Sequence, residues 1–514
     1  MESLGNRYRH KIKTVAELAQ LFGEPPRETK VIMCHGVFDV VHPGHLRHLL
    51  YCKSKADVLI ASLTADVHIA KGKYRPHIPQ ELRAANLAAY EIVDYVVIDQ
   101  NATPLQNLAH IKPDYFAKGY EYQATLNVKT QEEIDVLRGY GGEIIFTPGD
   151  LVFSSSQLIE AAPPALRIEK LMILMEQFGI TFDSLRSVLD QLGGRRVHVV
   201  GDTIIDSLTH ASMIGGQTKT PTISVLFERR ADYIGGAAIV AQHLRAAGAE
   251  VTFSTVLGED PFKDLVLESL GRLGIDCHAT VDKSRPTTNK NAIVAGGYRL
   301  LKIDTLDNRS ITDDILQSIT DAIAREPAHA VVFSDFRHGI FNRRTIPSLV
   351  DSIPKGRYRV ADSQVASRWG NIADFKDFDL ITPNEREARF ALGDQDSGIR
   401  PLASSLYDAA QCKTLILKLG ERGVLTCRNS EHEAHDSFFV LDSFVDRLVD
   451  GVGAGDALLA YATLSMLATG SDVLATIIGT MAAACECERD GNVPIKVEDV
   501  HQKIDVVERE AKFD

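Results

Sequence analysis

From Arg195 onward, short apolar runs recur along the chain: "RVHVVGD", "AEVTFSTVLG", "HAVVFSDF", "RYRVADS", "FDLITPNE" and "KTLILKLG", alternating with helical patterns. This alternation leaves few folds open. Parallel strands need long crossovers, the crossovers are usually helices, and the helices cover both faces of the sheet, so the chain is expected to be α/β with a largely parallel sheet. Ligands of such sheets bind at the carboxyl ends of the strands. The polar residues gather at those ends: Asp202 and Asp206, Ser334 and Asp335, Asp362, and Asn384 with Glu387. At 514 residues the chain is too long for one such unit, and a prior of roughly 150 residues per domain gives two or three.

The amino-terminal part carries a second pattern. "KVIMC" (30–34) reads as a strand, "HGVFD" as a turn, and "LRHLLYCKSKADVLIAS" as a helix followed by another strand. His42 and His45 are three apart after a break at Pro43 and Gly44, so both imidazoles face one object beside a helix N-terminus. Free backbone N–H groups and the positive end of the helix dipole make that position an anion site. Zinc is the weaker reading: the metalloprotease helix spaces its histidines four apart around a glutamate, and no cysteine pair of zinc-finger spacing lies nearby. No site built from protein ligands alone is therefore expected, and magnesium is expected to arrive with phosphates.

The stretch "GVFDVVHPGH" resembles the HxGH nucleotidyltransferases, with Gly36, Phe38, Asp39, His42, Gly44 and His45 in the fingerprint positions. The resemblance implies a Rossmann-like domain. In it the two histidines contact a nucleoside triphosphate and stabilise charge on the α-phosphate while a substrate phosphate attacks. "KGKYRP" offers Lys71 as a further catalytic contact and Arg75 as a phosphate contact, although a solvated loop reads equally well. "FAKGYEY" supplies Lys118 and Gly119 and resembles the KGxDY segment of the sugar-phosphate branch, with Glu121 in place of aspartate. "FSSSQLIE" places Ser154, Ser155 and Ser156 at a helix start, where hydroxyls meet phosphate oxygens or form an ordinary N-cap.

Residues 161–194 follow Pro163 and Pro164 with helical spacing up to Gly193 and Gly194, and are expected to form a helical linker. Beyond it, "DGVGAGDALLAYATL" (450–464) sets a glycine turn and a carboxylate at the start of an apolar helix, a phosphate cradle with a group able to accept a hydroxyl proton. The segment resembles the DTxGAGD signature of ribokinase-like carbohydrate kinases, and "GDTIID", "GGAAIVAQHLRAAGAEV", "SDFRHGI", "TPNEREA" and "KLGERGV" stand in that family's order. The resemblance implies Asp456 as general base and the amides of Gly453, Ala454 and Gly455 around the transferring phosphoryl group. It places Asp206, Gly235 and Gly236 at the sugar, Asn384 and Glu387 at magnesium and the ATP phosphates, and Lys418 and Gly420 on the nucleotide side. Three positions depart from the pattern: Gly451 for a threonine, Ile239 for a sugar-contacting asparagine, and Gln364 after Asp362 where relatives have Asp-Pro-Lys.

The expected layout is an extension over 1–26, a nucleotidyltransferase domain over 27–160, the linker over 161–194, and a ribokinase-like domain with a small β lid over 195–514. Together the two domains resemble the bifunctional heptose-7-phosphate kinases and heptose-1-phosphate adenylyltransferases of lipopolysaccharide synthesis, in which the kinase comes first. The implied substrates are a sugar phosphate and an NTP, with ATP, or CTP in the transferase, and Mg2+ as the ion. Two alternatives stay open: a regulatory kinase-like module, and a cytidylyltransferase for a non-sugar phosphate such as glycerol phosphate. A net charge of −13 argues against nucleic-acid and anionic-membrane partners. The seven cysteines form no regular framework and the start has no secretory core, which points to the cytoplasm. Residues 215–232 could form a lid through which two copies pair, or an ordinary hairpin.

Overall fold

The computed structural model describes residues 7–69, 75–119, 128–147, 166–214, 223–364, 371–434 and 436–513. Lys71, Glu121, Ser154, Ser155 and Ser156, and residues 215–222 of the expected lid, lie outside them. The backbone divides into two compact units, Met1–Leu166 with Glu431–Asp436, and Arg167–Ser430 with Ser437–Asp514.

The first unit is built on β1 (Val31–Gly36), β2 (Val58–Thr64), β3 (Tyr95–Asp99), β4 (Tyr115–Gly119) and β5 (Glu143–Thr147). All are parallel, in the order β3-β2-β1-β4-β5. Alternate residues of β1 enter different cores: Ile32 and Cys34 pack on one face, Val31 and Met33 on the other. That double burial is what a parallel sheet requires. Strand order reverses between β1 and β4, which opens the crevice where such sheets bind ligands.

The second unit begins its strands with β6 (Arg196–Gly201), β7 (Thr203–Met213), β8 (Val225–Gly236), β9 (Glu250–Leu257), β10 (Asp276–Val281), β11 (Thr288–Ala295) and β12 (Tyr298–Thr305). It continues with β13 (Ala330–Asp335), β14 (Tyr358–Ser363), β15 (Leu380–Ile381), β16 (Thr414–Lys418), β17 (Val424–Cys427) and β18 (Phe438–Leu441). Nine strands form one sheet, β10-β9-β6-β13-β14-β15-β16-β17-β18, parallel as far as β16 and antiparallel beyond it. The remaining four form a separate sheet, β12-β11-β7-β8. The lid is therefore larger than one hairpin, because β11 and β12 extend the β7–β8 pair.

Two helices, Arg167–Gln177 and Phe182–Asp190, occupy most of the stretch expected as a linker. Their apolar faces bury Leu171, Leu174, Leu185 and Leu189 in the core of the second unit. The apolar stretch after Gly455 folds as two buried helices, Ala454–Thr469 and Asp472–Cys487. Among the described residues no helix is long and apolar enough to cross a membrane.

Candidate active sites

In the first unit the chain leaves β1 at Gly36, and Phe38 adopts a left-handed φ of 51°. This unusual backbone for a bulky residue turns the chain into the helix Pro43–Lys53. His42 is that helix's N-cap, its Nδ1 accepting from the Gly44 N–H at 3.1 Å. The ring lies back over Gly44, where a Cβ would come within 2.8 Å of it, so the glycine between the histidines is a space requirement. His42 and His45 stack with ring centroids 4.0 Å apart and an interplanar angle of 26°. Phe38 packs against His45 at 5.2 Å. Burial, together with the neighbouring His42 and His48, pushes His45 down to about 4, and burial lowers His42 as well. Both rings are thus neutral near pH 7, and the buried Nδ1 of His45 has no hydrogen-bond partner.

Asp39 is buried and accepts from the backbone N–H groups of His77 (2.9 Å) and Ile78 (3.0 Å), with Arg75 Nε 3.7 Å from its other oxygen. Its carboxylate holds the backbone that follows Pro76 in place. Arg75 is thereby brought to the β1 turn. Lys118 and Gly119 end β4 across the switch point from Gly36, and Lys118 Nζ pairs with buried Glu133 and with Thr130 Oγ1 at 3.2 Å.

In the second unit Gly453 takes a φ of 85° and opens the helix that carries Asp456 in its first turn. The Asp456 N–H donates to Gly453 O at 2.9 Å, and the amides of Gly453, Ala454 and Gly455 stand ahead of the first intrahelical bonds, free to meet an anion. Asp456 is buried and its Oδ1 has no hydrogen-bond partner. Burial, then the charge of Asp362, raise its carboxyl to about 8 against the attraction of Lys418.

Lys418 ends β16 with Nζ 3.1 and 3.2 Å from the two oxygens of Asp362 at the end of β14. Burial opposes its charge, but Asp362, Glu387 and Asp456 together hold the ammonium above its usual range. It closes on the glycine turn: a Cβ on Gly455 would lie 3.1 Å from Lys418 Nζ. Asn384 and Glu387 form a reciprocal capping box for the helix Glu385–Leu392, with the Asn384 N–H donating to Glu387 at 2.7 Å and the Glu387 N–H to Asn384 Oδ1 at 2.9 Å. Both have a structural task in addition to any at phosphate. Burial raises Glu387 to about 7, with Lys418 pulling the other way. A cleft of 710 Å³ opens beside them, lined by Asn384, Arg386, Phe390, Lys418, Leu419 and Gly420, within the size range of small-ligand sites.

Asp206 on β7 lies against Gly235: a Cβ there would overlap its Oδ2 and sit 3.3 Å from Asn492 Nδ2. The other end of the same amide fills the space beside Gly453. Asn492 thus joins the glycine turn to the sugar-side pair. Gly236, at φ 65°, passes so close to the backbone of Asp202 that only glycine fits. Ile239 is fully buried in the following helix, and Gly451 is exposed, its turn held by the Val452 N–H on Asp450 at 3.1 Å. Gln364 keeps its place through its N–H on Asp335 O at 2.8 Å. Glu486 and Asn492 are the site residues that sequence reasoning did not single out, and Asp362, placed by it at a strand's carboxyl end, was given no role there. Glu486 is raised to about 7 by burial.

Comparison with known proteins agrees with this division. The family model described as pfkB family carbohydrate kinase matches residues 195–496, and that described as cytidylyltransferase-like matches residues 33–161. Curated relatives include a bifunctional protein HldE of Bradyrhizobium sp. (strain ORS 278), 26% identical over 333 residues, covering 63% of this chain and 65% of the relative. Another, from Campylobacter concisus, is 36% identical over 123 residues, covering 24% of this chain and 26% of the relative. The chain thus spans about 65% of the length of the first of these. Among solved structures, phosphofructokinase-2 from Escherichia coli in complex with substrates and products covers 61% of this chain and all of its own, with a TM-score of 0.51 at 15% identity. At that identity the likeness concerns the fold.

Proposed function

We propose that this chain, which belongs to the pfkB family of carbohydrate kinases, is a bifunctional enzyme of nucleotide-sugar synthesis. Its second unit transfers phosphoryl from ATP to the anomeric hydroxyl of a sugar phosphate of the heptose 7-phosphate class. Its first unit joins an NTP to a sugar 1-phosphate, giving an NDP-sugar and pyrophosphate. The observation that carries the reading is the pair of separate anion cradles, one completed by two imidazoles and the other by a buried carboxylate and a lysine.

At the kinase site the sugar lies between Asp206 and Asp456. Asp456 takes the hydroxyl proton through Oδ1 as the oxygen attacks, and the amides of 453–455 with Lys418 receive the negative charge on the transferring group. Lys290, opposite Asp206 in the β7–β11 register, offers a cation for the phosphate a sugar phosphate already carries. The carboxylates of Asp362 and Glu387 beside Lys418 suit a hard ion that keeps water and phosphate among its ligands, so they fit magnesium brought in by ATP. When bound, the ion neutralises charge on the phosphates.

At the transferase site neutral His42 and His45 donate to triphosphate oxygens and stabilise the charge building on the α-phosphate. Arg75 and Lys71 are the cations assigned to the same phosphates. The transferase-first order is read as an inversion relative to the bifunctional relatives. Alignments of 333 and 123 residues match the two units in size one at a time, as they would where no collinear alignment can run through both.

The lid sheet exposes Met213, Phe227 and Leu301 on one face, and we assign that face to pairing between two copies. The deciding experiment incubates the protein with ATP or CTP and a panel of sugar phosphates and reads the products by mass. A sugar bisphosphate and an NDP-sugar support the proposal. CDP-glycerol from glycerol phosphate, with no sugar phosphorylation, would replace it.

A further inference from the structure

Among the described residues, Cys34, His48 and Cys52 bring two sulfurs and one imidazole nitrogen within 4.8 Å of one another. Cys34 lies on β1, and His48 and Cys52 lie one turn apart on the helix Pro43–Lys53 that packs against it. Cys52 Sγ is 3.7 Å from His48 Nε2. Around a tetrahedral zinc with the usual bond lengths, a sulfur and a nitrogen ligand stand about 3.6 Å apart and two sulfurs about 3.8 Å. Cys52 and His48 are therefore already at ligand-to-ligand separation, with the Cys34 sulfur within 4.8 Å of both.

The far side of the imidazole settles its tautomer. Thr147 Oγ1 donates its own proton to Lys118 O at 3.3 Å, so at 2.9 Å from His48 Nδ1 it accepts. That places the ring proton on Nδ1 and leaves the Nε2 lone pair facing the sulfurs. A ring nitrogen hydrogen-bonded away from the site, with the other nitrogen bare toward it, is how protein imidazoles are oriented on metals. Thr147 is itself buried at the end of β5, so the orienting group belongs to the sheet.

We propose that Cys34, His48 and Cys52 bind a thiophilic divalent cation, zinc in the first instance, with a fourth position left to water on the half-buried His48 side. The ion joins β1 to the helix whose first turn carries His42 and His45. It would fix the register of the histidine pair against the strand without touching the triphosphate. This runs against the expectation of no protein-only metal site, because the two cysteines are too far apart in sequence to form a recognisable motif.

The test uses the full chain, reduced and stripped with chelator, titrated with Co2+. The expected result is one equivalent bound, with sulfur-to-cobalt charge-transfer absorption and the visible bands of a tetrahedral site, both bleached by Zn2+. His48→Gln and Cys52→Ser should each weaken Co2+ binding at least tenfold, and Thr147→Val by roughly ten- to a hundredfold, the usual cost of losing an orienting partner. Cys487→Ser should bind as the parent does. Thr147→Val and His48→Gln leave both thiols in place, so cooperative melting in either keeps the test valid if Cys52→Ser does not fold. The proposal is overturned if the parent shows no thiolate bands, if the bands survive unchanged in His48→Gln, or if they vanish in Cys487→Ser. Buried thiols that merely pack beside a histidine give the first of these.

Discussion

Replacing Gly44 by alanine should separate the stability of the first unit from its chemistry. A Cβ there would stand 2.8 Å from Cε1 and 2.9 Å from Nδ1 of His42, whereas carbon atoms rest about 3.5–4.0 Å apart. The imidazole must therefore move by roughly 0.7–1.2 Å, and as the end of a side chain it can. Alanine in the first turn favours the helix by about 0.8–1.0 kcal/mol over glycine. Loss of the His42 cap bond costs a comparable amount, about 1 kcal/mol, so the net change in stability is near zero. The chemistry has no such compensation. Displacing a positioned donor by about 1 Å costs on the order of a hundredfold, approaching the 10²–10³ of removing a transition-state donor altogether. We expect pyrophosphate release from NTP and sugar 1-phosphate to fall by about two orders of magnitude. The melting profile should be unchanged, and the kinase reaction of the same chain serves as internal control. His42→Ala and His45→Ala should lose at least as much. Full transferase activity in Gly44→Ala, with His42→Ala inactive, would refute the reasoning, since the ring's place over Gly44 would then be irrelevant to its work.

At the kinase site, Asp456→Asn should leave ATP and sugar binding near the parent values in calorimetry while phosphorylation collapses, because the amide keeps the shape but takes no proton. The pH dependence has a definite sign. With its pKa raised to about 8, Asp456 is mostly protonated at pH 7, so kinase kcat/KM should rise with unit slope up to about pH 8. Stability should run the other way: contributions of carboxyls raised in the folded state, Asp456 with Glu387 and Glu486, are complete below the unfolded value near 4 and are lost as pH climbs toward 8. The ligand-free Tm of the second unit should therefore fall between about pH 4 and 8. Asn492→Ala, which removes the amide between Gly453 and Gly235, should cost the kinase tenfold or more in kcat/KM without altering nucleotidyl transfer. Fragments 1–162 and 163–514 should each keep their own activity, whereas 195–514 should fail to fold. It lacks Leu171, Leu174, Met175, Leu185 and Leu189, which at about 1.5–3 kcal/mol each amount to a large share of the about 5–15 kcal/mol that holds a domain; a cooperative melt of 195–514 at the parent temperature would contradict this.

That last contrast marks a limit of reading from sequence. The helical spacing in 167–190 is visible in the leucines, but periodicity reports that a face is buried and not against what. A stretch that looks like a connection therefore turns out to complete a core. The HxGH turn and the GAGD helix were legible because strand, turn and helix are contiguous and their glycines have local reasons. Glu486, Asn492 and the part Asp362 plays at its strand end were not, since each comes from a separate element and meets the others only once β14, β16 and the last helices are in place. The lid shows the same limit: β7 and β8 follow each other in the chain and pair antiparallel, while β11 arrives after two intervening helices and two strands to pair in parallel with β7. The thiol cluster is the extreme case, eighteen residues apart and joined only by the packing of a helix on its own preceding strand.

The two cradles solve one problem with opposite groups. Each follows a residue with positive φ, Phe38 at 51° and Gly453 at 85°, which turns the chain so that a helix N-terminus faces the phosphate. Each then buries its working side chain, and in both cases burial favours the uncharged form: neutral imidazole in one, protonated carboxyl in the other. The consequences differ because the groups have opposite charge when ionised. An incoming triphosphate favours protonation of His42 and His45, so the transferase gains cationic character as substrate binds. The same polyanion at the second site would hold the proton on Asp456, where it blocks the reaction. Lys418, set between Asp362 and the glycine turn, is the fixed charge that opposes this, and a cation accompanying ATP would add to it. The kinase cradle therefore needs a buried lysine at a point where the transferase cradle can draw positive charge from its own histidines as the triphosphate binds, and the ion pair of Lys418 with Asp362 is what lets the lysine stay charged there.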